Sequence, residues 1–424
     1  MPDAELYTYD SDRPIIPSFL WTDEYKLTMG QLAWRKYRDV PVKYALTNRT
    51  KDIRLPGIVD EGRLRAELDH FRSLKLTVPE RKQLETLRRK DGKPLLCGEY
   101  LDFLENIQIP SYELSVVNGE YGLEFPGRWS EAIFWEIPGL TIINTLANEA
   151  RFKELGGLSA WQKSRDLGNE LLTAKIVILN NKAYIEFTEF GTRRADSPSW
   201  QDHTVARLKD ELKHGQLAGT SNVYLGLKHG IPIGGTLAHE MFMIMSGIMH
   251  ESDETIRASH NKVFDDWEEE YDFTKAIILP DTYGSSYCFR TMTEARARSW
   301  DGFRQDSGDP IEFGEKEIAF YGKWGIDPRT KLLLPSDGLD IHLIIKIAEH
   351  FLDRIKCRFG WGTNLTNDVG LKALSIVIKA VMSCGFGLGK LSDNLAKAVG
   401  LPEVIELLER IFDYAPTNYQ ECRY

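Results

Sequence analysis

The sequence predicts an α/β fold: an irregular (β/α) barrel with an additional mixed α+β N-terminal domain. Three observations carry that reading. Between residues 184 and 380 eight short apolar runs follow one another, repeatedly ending in Gly, Ser, Thr or Asp. Helical patterns sit between several of them. Up to about residue 150 the pattern is different, with an amphipathic helix and a hairpin signal. The expected organisation is a mixed N-terminal domain over 1–150, receiving contributions from the C-terminal segment, then a barrel catalytic domain over 151–385 and a C-terminal segment over 386–424.

In chain order, "TDEYKLTMGQLAWRKY" reads as an amphipathic helix. Tyr25, Met29 and Leu32 share one face, and Asp23 and Glu24 suit its start. "YELSVVNGEYGLEFPG" reads as a hairpin turned by Asn-Gly. The eight runs are "YIEFTEFGT" (184–192), "GQLAGTSN" (215–222), "GIPIGGT" (230–236), "KAIILPDT" (275–282), "GFRQDSGD" (302–309), "KLLLPSDG" (331–338), "CRFGWGT" (357–363) and "LSIVIKA" (374–380). The clearest intervening helix is "LDIHLIIKIAEHFLDRI", with Leu343, Ile344, Ile347, Phe351 and Ile355 on one face. "LPEVIELLERIFDY" closes the pattern as a last helix with Pro402 near its start. In a (β/α) barrel the polar residues at strand carboxyl ends form the active site. A doubly wound open sheet is the structural alternative, and it places ligands at the same strand ends.

Composition bounds the function. The chain has 424 residues, 42% hydrophobic and 27% charged, with a formal net charge of −10. No basic tract offers a nucleic-acid footprint. No apolar run is long enough for a membrane helix. "MPDAELYTYDSDRP" is acidic and polar, unlike a secretory signal. Five scattered cysteines, Cys97, Cys288, Cys357, Cys384 and Cys422, suit reduced thiols and a cytoplasmic location.

Candidate chemistry gathers at the strand ends. "GIPIGGTLAHEMF" reads as strand, tight turn and helix, with His239 in the first helical turn. The N-terminal dipole there disfavours imidazolium, and a neutral ring is a nucleophile. The second histidine of H-E-x-x-H is missing, which excludes a zincin. Arg193 and Arg194 follow a strand end, where the guanidinium fork suits phosphate oxygens, and Phe190 beside them is a platform for a flat ring or a core residue. Arg304, Asp306 and, at the next strand end, Asp337 offer a cation and carboxylates suited to ribose hydroxyls or a Mg²⁺ carried by a diphosphate. Gly360 and Gly362 in "GWGTN" could cradle a phosphate. "GFGLGKL" fails as a Walker A loop, because its glycines are one residue too close and Leu391 replaces the metal-binding hydroxyl.

Taken together, "DEYKLTM", "TNR", "EFGTRR", "GTSN", "GTLAHE", "RQDSGDP", "SDGLD", "FGWGTNLTND", "SIVIKA" and "KLSDN" occur in the order seen in nicotinate phosphoribosyltransferases, and the chain resembles that family from about Leu20 to about Gly400. The resemblance implies transfer of the 5-phosphoribosyl group from 5-phosphoribosyl 1-diphosphate to nicotinate, giving nicotinate mononucleotide and diphosphate in NAD biosynthesis. It implies ligase-type coupling to ATP through a phosphohistidine, with Mg²⁺ accompanying the diphosphate and ATP and no protein ligands assigned to it. It makes His239 the phosphorylated residue and Asp281 its orienting carboxylate. Nicotinate is expected between Phe190 and Tyr25, with Tyr25 supplied by the second subunit of a homodimer that shares its active sites. Arg304 and Ser221 are expected on the nicotinate carboxylate. Arg49, Arg193, Asp306, Asp337, Gly360, Gly362, Thr363, Lys390 and Lys397 are expected on the phosphoribosyl diphosphate. The chain departs from the family at Ala195, where many members have a third arginine, and at Trp361, where a smaller aliphatic is common. A nicotinamide-specific enzyme is the nearest alternative. Those relatives carry an acid at the position of Ser221, which would repel nicotinate, whereas a hydroxyl donates to its carboxylate. A non-catalytic binding protein on the same fold is the alternative from another class.

Overall fold

The computed structural model describes residues 13–414. The acidic N-terminal stretch before Arg13 and Cys422 lie outside the described residues. Among the described residues the strands are β1 (Pro41–Asn48), β2 (Glu113–Val117), β3 (Glu120–Arg128), β4 (Phe187–Glu189), β5 (Leu217–Thr220), β6 (Ile277–Ile278), β7 (Gly302–Gln305), β8 (Leu332–Pro335), β9 (Lys356–Cys357), β10 (Phe359–Trp361), β11 (Ile376–Ser383) and β12 (Phe386–Gly387).

Asn118 and Gly119 turn the predicted hairpin with φ of 52° and 76°, the positive values that a tight two-residue connection requires. They join β2 to β3, with Val117 opposite Glu120. This hairpin belongs to a five-stranded antiparallel sheet of order β12-β11-β1-β3-β2. The run at 374–380, expected as the eighth barrel strand, is part of that sheet instead. As β11 it pairs antiparallel with β1, from Val42 opposite Ser383 to Asn48 opposite Ile376. Ile376, Ile378 and Ala380 are buried on one face, while Val377 and Lys379 line a cavity on the other.

The remaining strands are parallel, in two sheets of order β6-β7-β8-β9 and β10-β4-β5. Among the described residues the sheets do not close into a barrel. Residues 230–236 supply no full strand. Thr220 donates to Pro232 O and Gly234 donates back to Thr220 O, which makes a single bridge. Pro232 has no N–H to extend it. Gly219 permits this approach, since a Cβ there would lie 2.2 Å from Pro232 O.

The helix Ile341–Phe351 forms as predicted. Asp340 caps it by accepting from Leu343 N at 2.8 Å, and Ile344, Ile347 and Phe351 are buried. The helix Glu24–Lys36 is more deeply seated than its pattern suggests. Every residue from Glu24 to Ala33 is buried, Lys26 and Gln31 included, so charge pairing inside the protein replaces the expected solvent face.

Candidate active site

A cavity of about 150 Å³ opens where the carboxyl ends of the parallel strands face the antiparallel sheet. Phe190 and Arg193 reach it from the turn after β4, Arg304 from β7, Ser336 and Asp337 from the end of β8, and Gly360, Gly362 and Thr363 from β10 and the turn beyond it. Tyr25, Arg49 and Lys379 face it from the N-terminal side, and Lys390 and Lys397 from the segment after β12. Nearly all residues singled out in the sequence therefore meet in one place.

His239 is the first residue of the helix His239–Ile248 and is 5% exposed. Its Nδ1 lies 3.0 Å from Thr282 Oγ1. Nε2 faces the cavity, with Lys390 Nζ 2.9 Å and Asp306 Oδ2 3.1 Å from it. Burial, reinforced by the Lys390 charge, pushes the ring down to about 4, so it is neutral at physiological pH. Asp281, the carboxylate expected to orient the ring, has Oδ1 3.7 Å from Nε2, while its neighbour Thr282 meets Nδ1. Asp281 Oδ2 instead accepts from Ser307 Oγ at 2.6 Å and Ser392 Oγ at 3.2 Å. Burial alone would raise this carboxyl, but the Lys390 ammonium 3.5 Å away holds it below its ordinary value.

One ligand atom each from His239, Asp281 and Asp306 lies within 4.8 Å of the others, a spacing that could hold a cation. Lys390 Nζ occupies the space between them, 2.9, 3.5 and 3.8 Å from the three. Its ammonium supplies the positive charge there.

Arg304 commits three of its five N–H donors within the protein. Nε donates to Ser336 Oγ at 2.8 Å, Nη1 to Thr236 Oγ1 at 3.2 Å and Nη2 to Asp306 Oδ1 at 3.0 Å. Its guanidinium lies 5.4 Å from the centre of the Phe190 ring. Gly360 allows Phe190 its place, since a Cβ there would come within 2.5 Å of the ring. Trp361, the residue between the two cavity glycines, alternates to the other face of β10 and is buried against Phe187. Lys397 bonds Asp337 and donates to Asp306 O at 2.7 Å.

Ser221 does not line the cavity; its hydroxyl donates to Asp23 Oδ1 at 2.8 Å. Tyr25 lines the same cavity as His239 and Phe190 within one chain. Gly235 makes this approach feasible, because a Cβ there would lie 2.3 Å from Glu24 Oε2 and 3.2 Å from Tyr25 N.

The arginine turn after β4 is held from behind. Asn144 donates to Arg193 O, Asn367 to Arg194 O and Asn148 to Asp196. Asp196 pairs with Arg165 at 2.5 Å, both side chains fully buried, and the guanidinium stacks 4.1 Å from the Trp161 ring centre. Asp196→Ala is expected to cost about 3–5 kcal/mol, because it strands a buried cation. Urea denaturation checks this, and a loss under about 1 kcal/mol would show that Arg165 finds water or another partner.

Sequence reasoning missed Lys379, Thr282, Thr236, Ser336 and Glu136. Lys379 left a signal, a lysine interrupting "SIVIKA". The hydroxyls left none, since Ser and Thr at strand ends are ordinary turn residues.

A neutral, buried histidine beside carboxylates, in a cavity walled by arginines and lysines at parallel strand ends, has the chemistry that suits enzymes acting on phosphorylated substrates. The chain belongs to the nicotinate phosphoribosyltransferase (NAPRTase) family: the family's model matches residues 185–416, and that of its N-terminal domain matches residues 20–144. Solved structures agree. A nicotinate phosphoribosyltransferase from Vibrio cholerae is 30% identical, with a TM-score of 0.84 over 96% of this chain and 95% of that one. The enzyme from Porphyromonas gingivalis is 28% identical, with a TM-score of 0.84 over 94% and 100%. A putative nicotinate phosphoribosyltransferase from Saccharomyces cerevisiae is 26% identical, with a TM-score of 0.81 over 95% and 100%.

Proposed function

We propose that the protein transfers the 5-phosphoribosyl group of 5-phosphoribosyl 1-diphosphate to nicotinate, and that ATP drives the reaction through a phosphohistidine at His239. The observation that carries this reading is the His239 ring itself, neutral and buried, with Nε2 turned to a cavity lined by Arg49, Arg193, Lys379, Lys390 and Lys397. In the coupling step Nε2 takes the γ-phosphoryl group of ATP and ADP departs. Hydrolysis of the phosphohistidine returns the ring and releases phosphate. Thr282 holds the ring through Nδ1, and Lys390, 2.9 Å from Nε2, shifts its N–H donors from the ring to the arriving phosphoryl oxygens and neutralises them as the N–P bond forms.

In the transfer step the nicotinate nitrogen attacks the anomeric carbon as the C–O bond to diphosphate breaks. This needs positioning and charge stabilisation rather than a protein nucleophile. Phe190 and Tyr25 would sandwich the pyridine ring. Asp306 and Asp337 would hold the ribose, and Gly360, Gly362 and Thr363 the 5′-phosphate. Arg49, Arg193, Lys390 and Lys397 would receive the diphosphate. Mg²⁺ would neutralise that leaving group; Asp306 and Asp337 present the oxygen donors it favours, whereas the His239–Asp281–Asp306 cluster is already served by Lys390.

Arg304 is the cation proposed for the nicotinate carboxylate. Arg304→Ala is expected to raise the nicotinate KM by about 10- to 100-fold, the worth of a charge-assisted contact of roughly 1.5–3 kcal/mol. Steady-state kinetics with nicotinate varied tests this, and an unchanged KM would place the cation elsewhere. Nicotinamide is the second reading. Ser221 spends its hydroxyl on Asp23, so discrimination against the amide would rest on Arg304.

The two parallel sheets meet through Arg358, between β9 and β10, and are proposed to form an irregular, open barrel. The protein is proposed to act as a homodimer with shared active sites. The free thiols of Cys97, Cys288, Cys357 and Cys384 suit a cytoplasmic enzyme.

A further inference from the structure

Behind the cavity wall lies a buried charge cluster that the proposed chemistry does not use. Lys26 is fully buried, 2.6 Å from Glu136, and also bonds Glu240, the residue after His239. Glu240 is satisfied there, since it also accepts from Tyr44 Oη at 2.7 Å and Trp129 Nε1 at 3.0 Å. Glu136, the first residue of the helix Glu136–Glu154, has a different set of partners. Its carboxylate takes Lys379 at 3.0 Å and Arg193 at 3.4 Å, and both of these cations line the cavity. Among the described residues no other carboxylate is in ion-pair contact with either. The Glu136 side chain is 3% exposed, against 18% for Lys379 and 32% for Arg193. The anion is therefore sealed in while the cations face the cavity.

We infer that Glu136 is a positioning residue that holds Arg193 and Lys379 side by side, charged and turned toward the diphosphate of the substrate. The inference rests on the reading of the cavity as a phosphoribosyl diphosphate site. Two cations brought together out of water repel each other. Arginine cannot relieve this by losing its proton, whereas lysine can. The groups facing Lys379 are Glu136 from its helix, Arg193 from the turn after β4 and Lys26 from the helix Glu24–Lys36. Burial pushes Lys379 down to about 8, with Glu136 opposing the shift and Arg193 and Lys26 adding to it. Without the Glu136 charge, every remaining influence favours the neutral amine.

Glu136→Gln tests this with little change of shape, and Lys26 keeps Glu240 as its partner. The measurement is kcat/KM for 5-phosphoribosyl 1-diphosphate against pH, with the full chain, nicotinate, ATP and Mg²⁺, because this ratio reports groups of the free enzyme. Wild type should lose activity on the alkaline side as Lys379 deprotonates. In the variant that limb should move at least about one unit toward acid, giving at least about a fivefold deficit near pH 8 but less than about threefold near pH 6. Lys379→Arg, which cannot deprotonate, should lack the limb altogether, and it remains informative if Glu136→Gln does not fold. A loss equal at all pH values, an unmoved limb, or an alkaline limb retained in Lys379→Arg overturns the inference. A wild-type protein that does not consume the substrate at any pH overturns the reading of the cavity instead.

Discussion

His239→Asn is expected to abolish acid-labile labelling of the protein by γ-labelled ATP and to remove the stimulation of turnover by ATP. The substitution is close in size and keeps a polar group beside Thr282, but it supplies no nucleophilic nitrogen. In the wild type that nitrogen is available at physiological pH, since burial and the Lys390 charge keep the ring neutral. Slow synthesis without ATP should persist, because displacement at the anomeric carbon uses positioning and charge rather than the imidazole. Labelled protein recovered under alkaline conditions, with initial rates measured with and without ATP, checks both parts. Full coupling in the variant would remove His239 from its proposed role.

Asp306→Ala should be the most damaging change to the transfer step itself, lowering kcat/KM for 5-phosphoribosyl 1-diphosphate by about 10³-fold, or roughly 4 kcal/mol. Three groups of the site converge on this side chain: Arg304 Nη2 at 3.0 Å, His239 Nε2 at 3.1 Å and Ser336 Oγ at 3.3 Å. Burial alone would raise its carboxyl, yet Arg304 first, then His239, Lys397 and Lys390, hold it well below the usual carboxylate range. It is thus ionised throughout the working range and able to accept from ribose hydroxyls. Its loss would release Arg304 and leave Lys390 with one carboxylate fewer. Steady-state kinetics, with circular dichroism to verify folding, decides this. A folded variant within tenfold of wild type would show that Asp337 or another acceptor carries the ribose.

The site was more legible in the sequence than the fold that presents it. Strand-end motifs such as "RQDSGD" and "EFGTRR" stand out because polar and charged residues interrupt apolar runs, and Arg304, Asp306, Phe190 and Arg193 do meet in the cavity. Which sheet a strand joins is another matter. The 374–380 run has the right composition for a parallel strand, and only long-range pairing with β1 reveals it as β11. Partner choice was hidden for the same reason. Nothing local says that Ser221 would bond Asp23, or that Thr282 would meet Nδ1. The buried cluster of Lys26, Glu136 and Glu240 was least visible. A charged residue in a helical pattern reads as solvent-facing, and only the folded chain brings its counter-ions within reach.

The most direct test is product formation by the purified chain with radiolabelled nicotinate, 5-phosphoribosyl 1-diphosphate and Mg²⁺, with and without ATP, beside a parallel reaction on nicotinamide. Labelled nicotinate mononucleotide should appear in step with diphosphate, faster when ATP is present, while nicotinamide reacts at least about 100-fold less efficiently, as befits a site built to pair a substrate carboxylate with a cation. No mononucleotide from nicotinate, or equal use of nicotinamide, would contradict it.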